Sequence, residues 1–161
     1  REDNKRLKEQ MQEQQKNLQK YAKEYYLMGN ECITHMHDTR AALANYDKAI
    51  ELYPDYADAW VRKGVTLFNA DRINEAEACL DKAVRLRPME FKPVYNRGKL
   101  RLHTGDTEGA IADLDKATTL KPQHAGAHEC FGDALTQAGK EMEAAIQYRL
   151  AEELRKRKSN Q

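Results

Sequence analysis

Apolar residues recur along most of this chain at the three- and four-residue steps of amphipathic helices. Trp60, Gly64 and Leu67 lie on one face of a predicted helix, which a short polar turn separates from a second apolar stripe. The residues of the second stripe are Ala76, Leu80, Ala83 and Leu86. The pattern therefore predicts a pair of helices joined by a short turn.

The same pattern returns every 34 residues. The tripeptide Asp-Lys-Ala occurs intact at 47–49, 81–83 and 115–117. A small residue lets two helices approach closely, and a proline cannot continue the hydrogen-bond ladder of the preceding helical turn. Recurring glycines are therefore expected inside each first helix, and recurring prolines at the end of each second helix. These residues are Gly64, Gly98, Gly132, Pro54, Pro88 and Pro122.

A glycine at position 8, alanines at 20 and 27, a large residue at 24 and a proline at 32 of each unit resemble the tetratricopeptide repeat, TPR. The resemblance covers residues 23–156. It implies an all-α fold, a right-handed superhelical solenoid of antiparallel helix pairs, with the first helix of each pair, helix A, on the concave surface. The expected units are approximately 22–56, 57–90, 91–124 and 125–156.

Two of the four units depart from the pattern. The first unit contains one extra residue between Gly29 and Ala42, which predicts an irregular turn near residues 35–37. In the fourth unit Lys156 occupies the proline position, so we expect the second helix, helix B, to continue toward the C-terminus.

Several prominent side chains have a structural interpretation within this pattern. Trp60 occupies a core position of helix A, and Tyr46 and Tyr148 occupy the large position of helix B, so all three are expected between packed helices. The recurring Asp-Lys pairs are expected to face solvent, where each contributes little to stability.

The TPR resemblance also implies a candidate partner-binding groove, because five positions of each helix A point into the concave surface in this family. Lys92 and Lys99 place positive charge in the middle of that groove, and Glu129 and Asp133 place negative charge at one end. Such a surface suits an extended or helical peptide with apolar anchors. The alternative is that the apolar groups pack against neighbouring helices or the N-terminal segment. The candidate residues are Tyr26, Asn30, Val61, Val65, Phe68, Lys92, Tyr95, Lys99 and Leu102.

Chaperone-binding members of the family hold a C-terminal carboxylate with five Lys, Asn and Arg side chains in this groove. Asn30 and Lys92 match those positions, whereas Tyr26, Arg62 and Asn96 occupy the other three. Arg62 still supplies positive charge, and Arg62 and Asn96 join the candidate groove residues. Co-chaperone activity is therefore a less favoured alternative.

Residues 1–22 precede the repeats, are rich in Lys, Glu and Gln, and contain no Gly or Pro, which predicts a charged helix. Apolar residues follow alternating steps of four and three, the a/d pattern of a coiled coil, interrupted once by Gln14. Self-association, folding back onto the groove or first repeat, and a solvated extension of a longer coiled coil remain open. The a/d positions are Leu7, Met11, Gln14, Leu18, Tyr21, Tyr25 and Met28.

Charge and hydropathy exclude several classes of partner. The 27 Lys and Arg nearly balance the 26 Asp and Glu, leaving a formal net charge of +1, so no basic field for nucleic acid is present. No apolar run approaches the roughly 18 residues of a membrane span. The basic run at 155–158 is expected at the C-terminal end of the last helix, where positive charges interact favourably with the helix dipole. Residues 157–161 are expected to form a basic tail. We expect neither nucleic-acid binding nor membrane insertion.

The sequence contains no catalytic motif such as a phosphate-binding loop, a nucleophile elbow or a paired-histidine metalloprotease helix. Cys32, Cys79 and Cys130 are each expected to be packed apolar residues in a reducing compartment. His124 and His128 could lie one turn apart, but Cys130 would point about 200° away from His128 on an ideal helix. We therefore expect exposed histidines, no metal or other cofactor, and no enzymatic activity.

These features predict an adaptor or scaffold that binds a peptide segment of a partner protein in the concave groove. The alternative is a self-assembling structural protein, a homo-oligomer formed through the N-terminal helix or exposed repeat surfaces. Because the chain starts at Arg1, a native targeting segment could have been removed, and the cytoplasm is the expected location.

Overall fold

The computed structural model describes residues 1–160, which form eight α-helices and one π-helical turn and, within that range, no β-strand. Consecutive helices pack as pairs, and each pair packs against the next. The predicted all-α class is confirmed. The helices are α1 (Glu2–Glu31), α2 (Thr39–Leu52), α3 (Ala57–Asn69), α4 (Ile73–Leu86), α5 (Phe91–Thr104), α6 (Thr107–Leu120), α7 (Ala125–Gln137) and α8 (Glu141–Ser159).

A glycine allows helices A and B of each pair to approach closely. A Cβ atom at Gly64 would lie 2.8 Å from Cγ of Leu80, and one at Gly98 would lie 2.9 Å from Cγ of Leu114. Both leucines are fully buried, so a larger residue than glycine would displace a packed side chain. The same contact recurs between Gly29 and Tyr46 and between Gly132 and Tyr148.

The first unit has an irregular connection, as the extra residue predicts. A π-helical turn, Cys32–Met36, follows α1, and His37 then adopts a left-handed conformation with φ +52°. Asp38 begins the next helix, because its carboxylate accepts a hydrogen bond from the Ala41 amide at 2.9 Å. At the other end of the chain, α8 passes Lys156 and reaches Ser159, which confirms the predicted extension.

Helix α1 is continuous for 30 residues and combines the N-terminal segment with helix A of the first unit. Residues 1–21 are all exposed. In this structure the N-terminal segment therefore projects away from the repeats and does not fold back onto them. No helix within residues 1–160 combines the length and the apolarity needed to cross a membrane.

Two aspartates of the recurring Asp-Lys-Ala tripeptide are exposed or partly exposed, in line with the expectation that they face solvent, and they also connect neighbouring pairs. Asp47 in α2 forms an ion pair with Lys63 in α3, with 2.6 Å between Oδ1 of Asp47 and Nζ of Lys63. Asp81 in α4 pairs in the same way with Arg97 in α5, at 3.2 Å. The third tripeptide lacks this contact, because the equivalent position in α7 is Phe131.

A buried carboxylate links the two helices of the third pair. Asp113 in α6 is only 4% exposed and accepts two hydrogen bonds from the Arg97 guanidinium, both at 2.9 Å. Arg101 donates a third, at 3.1 Å. Hydrogen bonding to Asp113 is the main reason that the pKa of Arg97 is raised. The desolvated carboxylate therefore depends on two cations of one neighbouring helix.

His128 is buried and not exposed as predicted. Its Nε2 donates a hydrogen bond to the carbonyl oxygen of Pro122 at 2.8 Å, and its Nδ1 lies 2.8 Å from Oε1 of Gln147. Trp60 makes the equivalent contact two units earlier, because its indole Nε1 donates to the carbonyl of Pro54 at 2.7 Å. Both rings therefore anchor helix A to the end of the preceding helix B.

Candidate functional site

Helices α3, α5 and α7 together line an open cleft of about 530 Å³ on the concave side. A smaller cleft of about 260 Å³ lies between the π-helical turn and α3. The larger cleft is lined by Phe68, Lys99, Leu102, His103, Cys130, Asp133 and Gln137. The smaller one is lined by Ile33, His37, Thr39, Arg62, Val65, Thr66 and Asn69.

The candidate apolar residues divide between the surface and the interior. Val65, Phe68 and Leu102 are half-buried and line the two clefts, so each presents apolar surface to a ligand. Val61 is only 4% exposed. The structure thus places Val61 beneath the groove surface, where it contributes to helix packing.

At the N-terminal end of the groove, two candidate residues are hydrogen-bonded to each other. Oδ1 of Asn30 accepts from Nε of Arg62 at 2.9 Å and from the hydroxyl of Tyr46 at 2.8 Å. Burial raises the pKa of the Tyr46 hydroxyl, so it remains a donor. Tyr26 packs beside this network, with its ring centroid 6.2 Å from that of Tyr46. At this end of the groove, the oxygen of Asn30 therefore already has its hydrogen-bond donors within the protein.

In the middle of the groove, Tyr95 connects α5 to α7. Its ring stacks on Phe91 with centroids 4.9 Å apart and meets His124 edge-on at 5.1 Å. Its hydroxyl lies 3.8 Å from Sγ of Cys130. Burial raises the pKa of the Tyr95 hydroxyl. Since the ring holds two helices together, replacing Tyr95 would disturb the fold as well as the groove.

The two lysines of α5, Lys92 and Lys99, are exposed and accessible to a ligand. Within residues 1–160, neither Lys92 nor Lys99 forms an ion pair with a carboxylate. The Nζ atom of Lys99 lies 5.4 Å from the centroid of the Tyr95 ring, a weak cation–π contact. Asn96 donates to the carbonyl of Lys92 at 2.9 Å and lies between the two cations.

The acidic residues of α7, in contrast, already have partners. Glu129 forms an ion pair with Arg155 of α8. Asp133 accepts a hydrogen bond from the hydroxyl of Tyr148 at 2.7 Å. The groove therefore has accessible positive charge in its middle, while its negative end is tied to the last helix.

Sequence reasoning missed Cys130 as a groove residue. Cys130 occupies the position in its unit that Arg62 and Asn96 occupy in theirs, so the 34-residue register was the signal that could have identified it. Burial raises the pKa of the Cys130 thiol, which keeps it protonated at neutral pH. No group of three His, Cys, Asp or Glu side chains within residues 1–160 is arranged to hold a metal ion.

Family comparisons agree with this architecture. Two family models, both described as tetratricopeptide repeat, match residues 35–95 and 92–124 and together cover more than half of the chain. An uncharacterised protein of Methanocaldococcus jannaschii, MJ0572, is 35% identical over 77 residues, which are 48% of this chain and 88% of that protein. The BBSome complex member BBS4 of Xenopus tropicalis is 27% identical over 95 residues. This match covers 59% of the chain but spans only 18% of BBS4.

A solved structure of MamA superposes with a TM-score of 0.78 at 21% identity, covering 87% of this chain and 81% of that chain. At this identity the similarity shows the fold alone. It confirms the predicted solenoid of TPR helix pairs and leaves the partner of the groove to be inferred from the groove itself.

Proposed function

The chain belongs to the tetratricopeptide-repeat family, and from this premise we propose that it is an adaptor or scaffold whose concave groove binds a peptide segment of a partner protein. One observation carries the proposal. The larger cleft combines half-buried apolar surface from Phe68 and Leu102 with the exposed, unpaired charge of Lys99. An apolar anchor can desolvate the first two side chains while a polar group engages the third.

The charges of α5 define the chemistry of the preferred segment. Lys92 and Lys99 lie two helical turns apart on one face of α5, which corresponds to roughly 10 Å along the axis. A peptide in the polyproline II conformation covers that distance in about three residues, and its turn of three residues places side chains three positions apart on one face. We therefore expect a segment with acidic side chains about three positions apart and an apolar side chain that enters the larger cleft.

The ionisable groups of the groove favour binding over catalysis. Raised pKa values keep the Cys130 thiol and the Tyr95 hydroxyl protonated at neutral pH, so neither is an activated nucleophile. The proposed function is accordingly non-catalytic. All three cysteines are free thiols, in keeping with a reducing location such as the cytoplasm.

Two other functions have less support from the groove. Capture of a C-terminal carboxylate has only two matching side chains, Asn30 and Lys92, and Asn30 already accepts hydrogen bonds from Arg62 and Tyr46. Self-assembly through residues 1–22 would use a different surface and is compatible with a peptide-binding groove. BBS4 is named as a member of a protein complex, which supports an assembly role for a similar repeat array.

The test is a selection of random displayed peptides on the intact chain, followed by binding titration of the selected peptides. Lys92→Glu/Lys99→Glu should weaken binding by about tenfold or more, because it reverses both accessible charges of the groove. Lys48→Glu/Arg85→Glu is the matched control, with the same charge change on exposed residues of α2 and α4. Equal weakening by both variants, or selection of peptides without acidic residues, would contradict the proposal.

A further inference from the structure

Helix α1 carries an apolar stripe that no other part of residues 1–160 covers. Isolated helices are marginal in water, and most helix stability in proteins comes from packing an amphipathic face. A projecting helix with such a stripe is therefore suited to a partner. The side chains and their exposed fractions are Leu7 56%, Met11 61%, Leu18 39%, Tyr21 53% and Met28 52%.

The stripe continues into the first repeat. Allowing for the extra residue of the first unit, Tyr25 and Met28 occupy the positions of Trp60 and Lys63. In the second unit these two positions contact helix α2 and the residues that follow it. Within the described residues no helix precedes α1, so the corresponding face of the first repeat is open.

Charges beside the stripe indicate what covers it. With Met11 and Leu18 at a and Leu7 at d, the flanking e positions are basic or neutral and the g positions are acidic or neutral. In a parallel pair each g position faces an e position of the other helix, which brings Asp3 opposite Lys8. In an antiparallel pair e faces e and g faces g, which brings the like charges of Asp3 and Glu24 together and leaves Lys8 opposite the neutral Gln15. The e positions are Arg1, Lys8 and Gln15, and the g positions are Asp3, Gln10, Asn17 and Glu24.

We propose that α1 pairs with α1 of a second copy of this chain as a parallel two-stranded coiled coil over residues 4–21, with Tyr25 and Met28 extending the contact. Gln14 then faces Gln14 of the other copy, and an interior polar pair of this kind fixes the register. Both solenoids emerge from the same end of the coiled coil. The dimer thus presents two grooves side by side, which would raise the avidity for a partner with two binding segments.

The first experiment measures the molar mass of the intact chain by sedimentation equilibrium up to submillimolar concentration. The wild type should reach the dimer mass, and Met11→Lys/Leu18→Lys should remain monomeric, because it places charges at two a positions. Gln12→Lys/Gln19→Lys adds the same charges on the outer face and should still dimerise. A monomeric or trimeric wild type, or a dimeric Met11→Lys/Leu18→Lys variant, would overturn the proposal.

A charge exchange tests the orientation. Lys8→Glu should weaken the parallel dimer by roughly threefold or more, since it places a carboxylate opposite Asp3 in both of the equivalent pairs. The exchanged variant Asp3→Lys/Lys8→Glu should restore the affinity. In an antiparallel dimer Lys8 would face the neutral Gln15, so Lys8→Glu would leave the affinity nearly unchanged, and that outcome would contradict the parallel arrangement.

Disulfide trapping gives an independent result on orientation. Asn4 lies at an a position, so Asn4→Cys should form a disulfide-linked dimer under mild oxidation, whereas Lys5→Cys, on the outer face, should not. An antiparallel arrangement separates the two copies of residue 4 by most of the helix length. Absence of the Asn4→Cys dimer, or equal cross-linking of Lys5→Cys, would rule out the parallel arrangement. Both outcomes are independent of peptide binding in the groove.

Discussion

The third and fourth helix pairs have the same repeat pattern but differ in burial. Leu114 in α6 is fully buried, whereas Tyr148, 34 residues later in α8, is 38% exposed. Thr118 is buried, and the equivalent Glu152 is exposed. The difference follows from position in the array, because α7 covers α6, while no helix of the described residues follows α8. The burial of a repeat position thus depends on the next unit as much as on its own.

The two pairs also differ in how helix A is joined to helix B. In the third pair, the buried carboxylate of Asp113 binds Arg97 and Arg101. In the fourth pair, the equivalent Gln147 contacts His128. A charged network in the interior is costly to break, whereas a single contact made by the half-buried Gln147 can be replaced by water.

The largest effect is expected from Asp113→Ala. The change removes the buried carboxylate that Arg97 and Arg101 share and leaves each with one acidic partner that is more exposed. Breaking a buried ion pair from one side costs about 3 kcal/mol. Urea denaturation should show that loss in the free energy of unfolding. Gln147→Ala, the matched change in the fourth pair, should cost only about 1 kcal/mol.

Asp113→Asn provides the control for shape. It retains the size of the side chain but removes the charge, so it should lose most of the stability that Asp113→Ala loses. Similar losses of unfolding free energy in Asp113→Ala and Gln147→Ala would contradict this comparison. They would show that the buried ion pair of the third pair contributes no more to stability than the neutral side chain of Gln147 does in the fourth.

An intermediate effect is expected at the glycine of helix A. In Gly98→Ala, the new Cβ would lie 2.9 Å from Cγ of Leu114, a side chain with no room to move. Overpacking of this kind typically costs 1–3 kcal/mol, partly offset by the roughly 1 kcal/mol gain in helix propensity. A net loss of about 1 kcal/mol should appear in thermal or urea denaturation.

Gly132→Ala makes the same change in the fourth pair. Its Cβ would lie 2.7 Å from Cε1 of Tyr148, but this ring is partly exposed and can move outward. We expect a change within about 0.5 kcal/mol of zero, because relief of the contact and higher helix propensity offset the displaced ring. Equal losses in Gly98→Ala and Gly132→Ala would contradict the dependence on the following helix.

Much of this fold could be predicted from the sequence, because the positions of the two helices and the turn in one unit predict those in the other units through the 34-residue spacing. The extra residue before Ala42 predicted the irregular turn, and Lys156 predicted the longer last helix. These features depend on local backbone geometry, which residue spacing reports directly. The groove residues of α3 and α5 were likewise placed by register, and the proposed contact with a peptide stays a prediction.

Contacts between helices were harder to predict, because each depends on a partner side chain in another helix. Asp113 has no acidic equivalent in the other units, so the repeat pattern gave no sign of its network. Tyr148 was expected between packed helices, but the chain pattern alone does not report what covers the last helix. His128 could have been placed correctly, since the register aligns it with Trp60, a core position.

The smallest expected effect is a pH dependence of stability. It distinguishes the fourth pair from the third, because helix A of the fourth pair, α7, has a side-chain N-cap and helix A of the third pair, α5, has none. His124 caps α7, because its Nδ1 accepts a hydrogen bond from the Ala127 amide at 3.0 Å, which only a neutral ring can do. Burial lowers the pKa of His124, and the nearby Lys121 lowers it further. Helix α5 begins after Glu90 without a side-chain cap.

In the unfolded chain His124 has the ordinary histidine pKa of about 6.5. The unfolded chain therefore binds a proton at His124 more readily than the folded chain, in which this pKa is lowered. The contribution of the cap is fully present above that pH and is lost as the pH falls through the lower folded pKa. Between about pH 7.5 and pH 5, the wild type should lose up to about 1 kcal/mol more than His124→Asn, because asparagine caps without titrating. Thermal denaturation of both proteins across this range measures the difference. Identical pH profiles of stability for the two proteins would show that the cap does not titrate.

Hydrogen exchange locates the effect in the structure. Lowering the pH should speed the exchange of amides in the first turn of α7 and leave the exchange of amides in α5 unchanged.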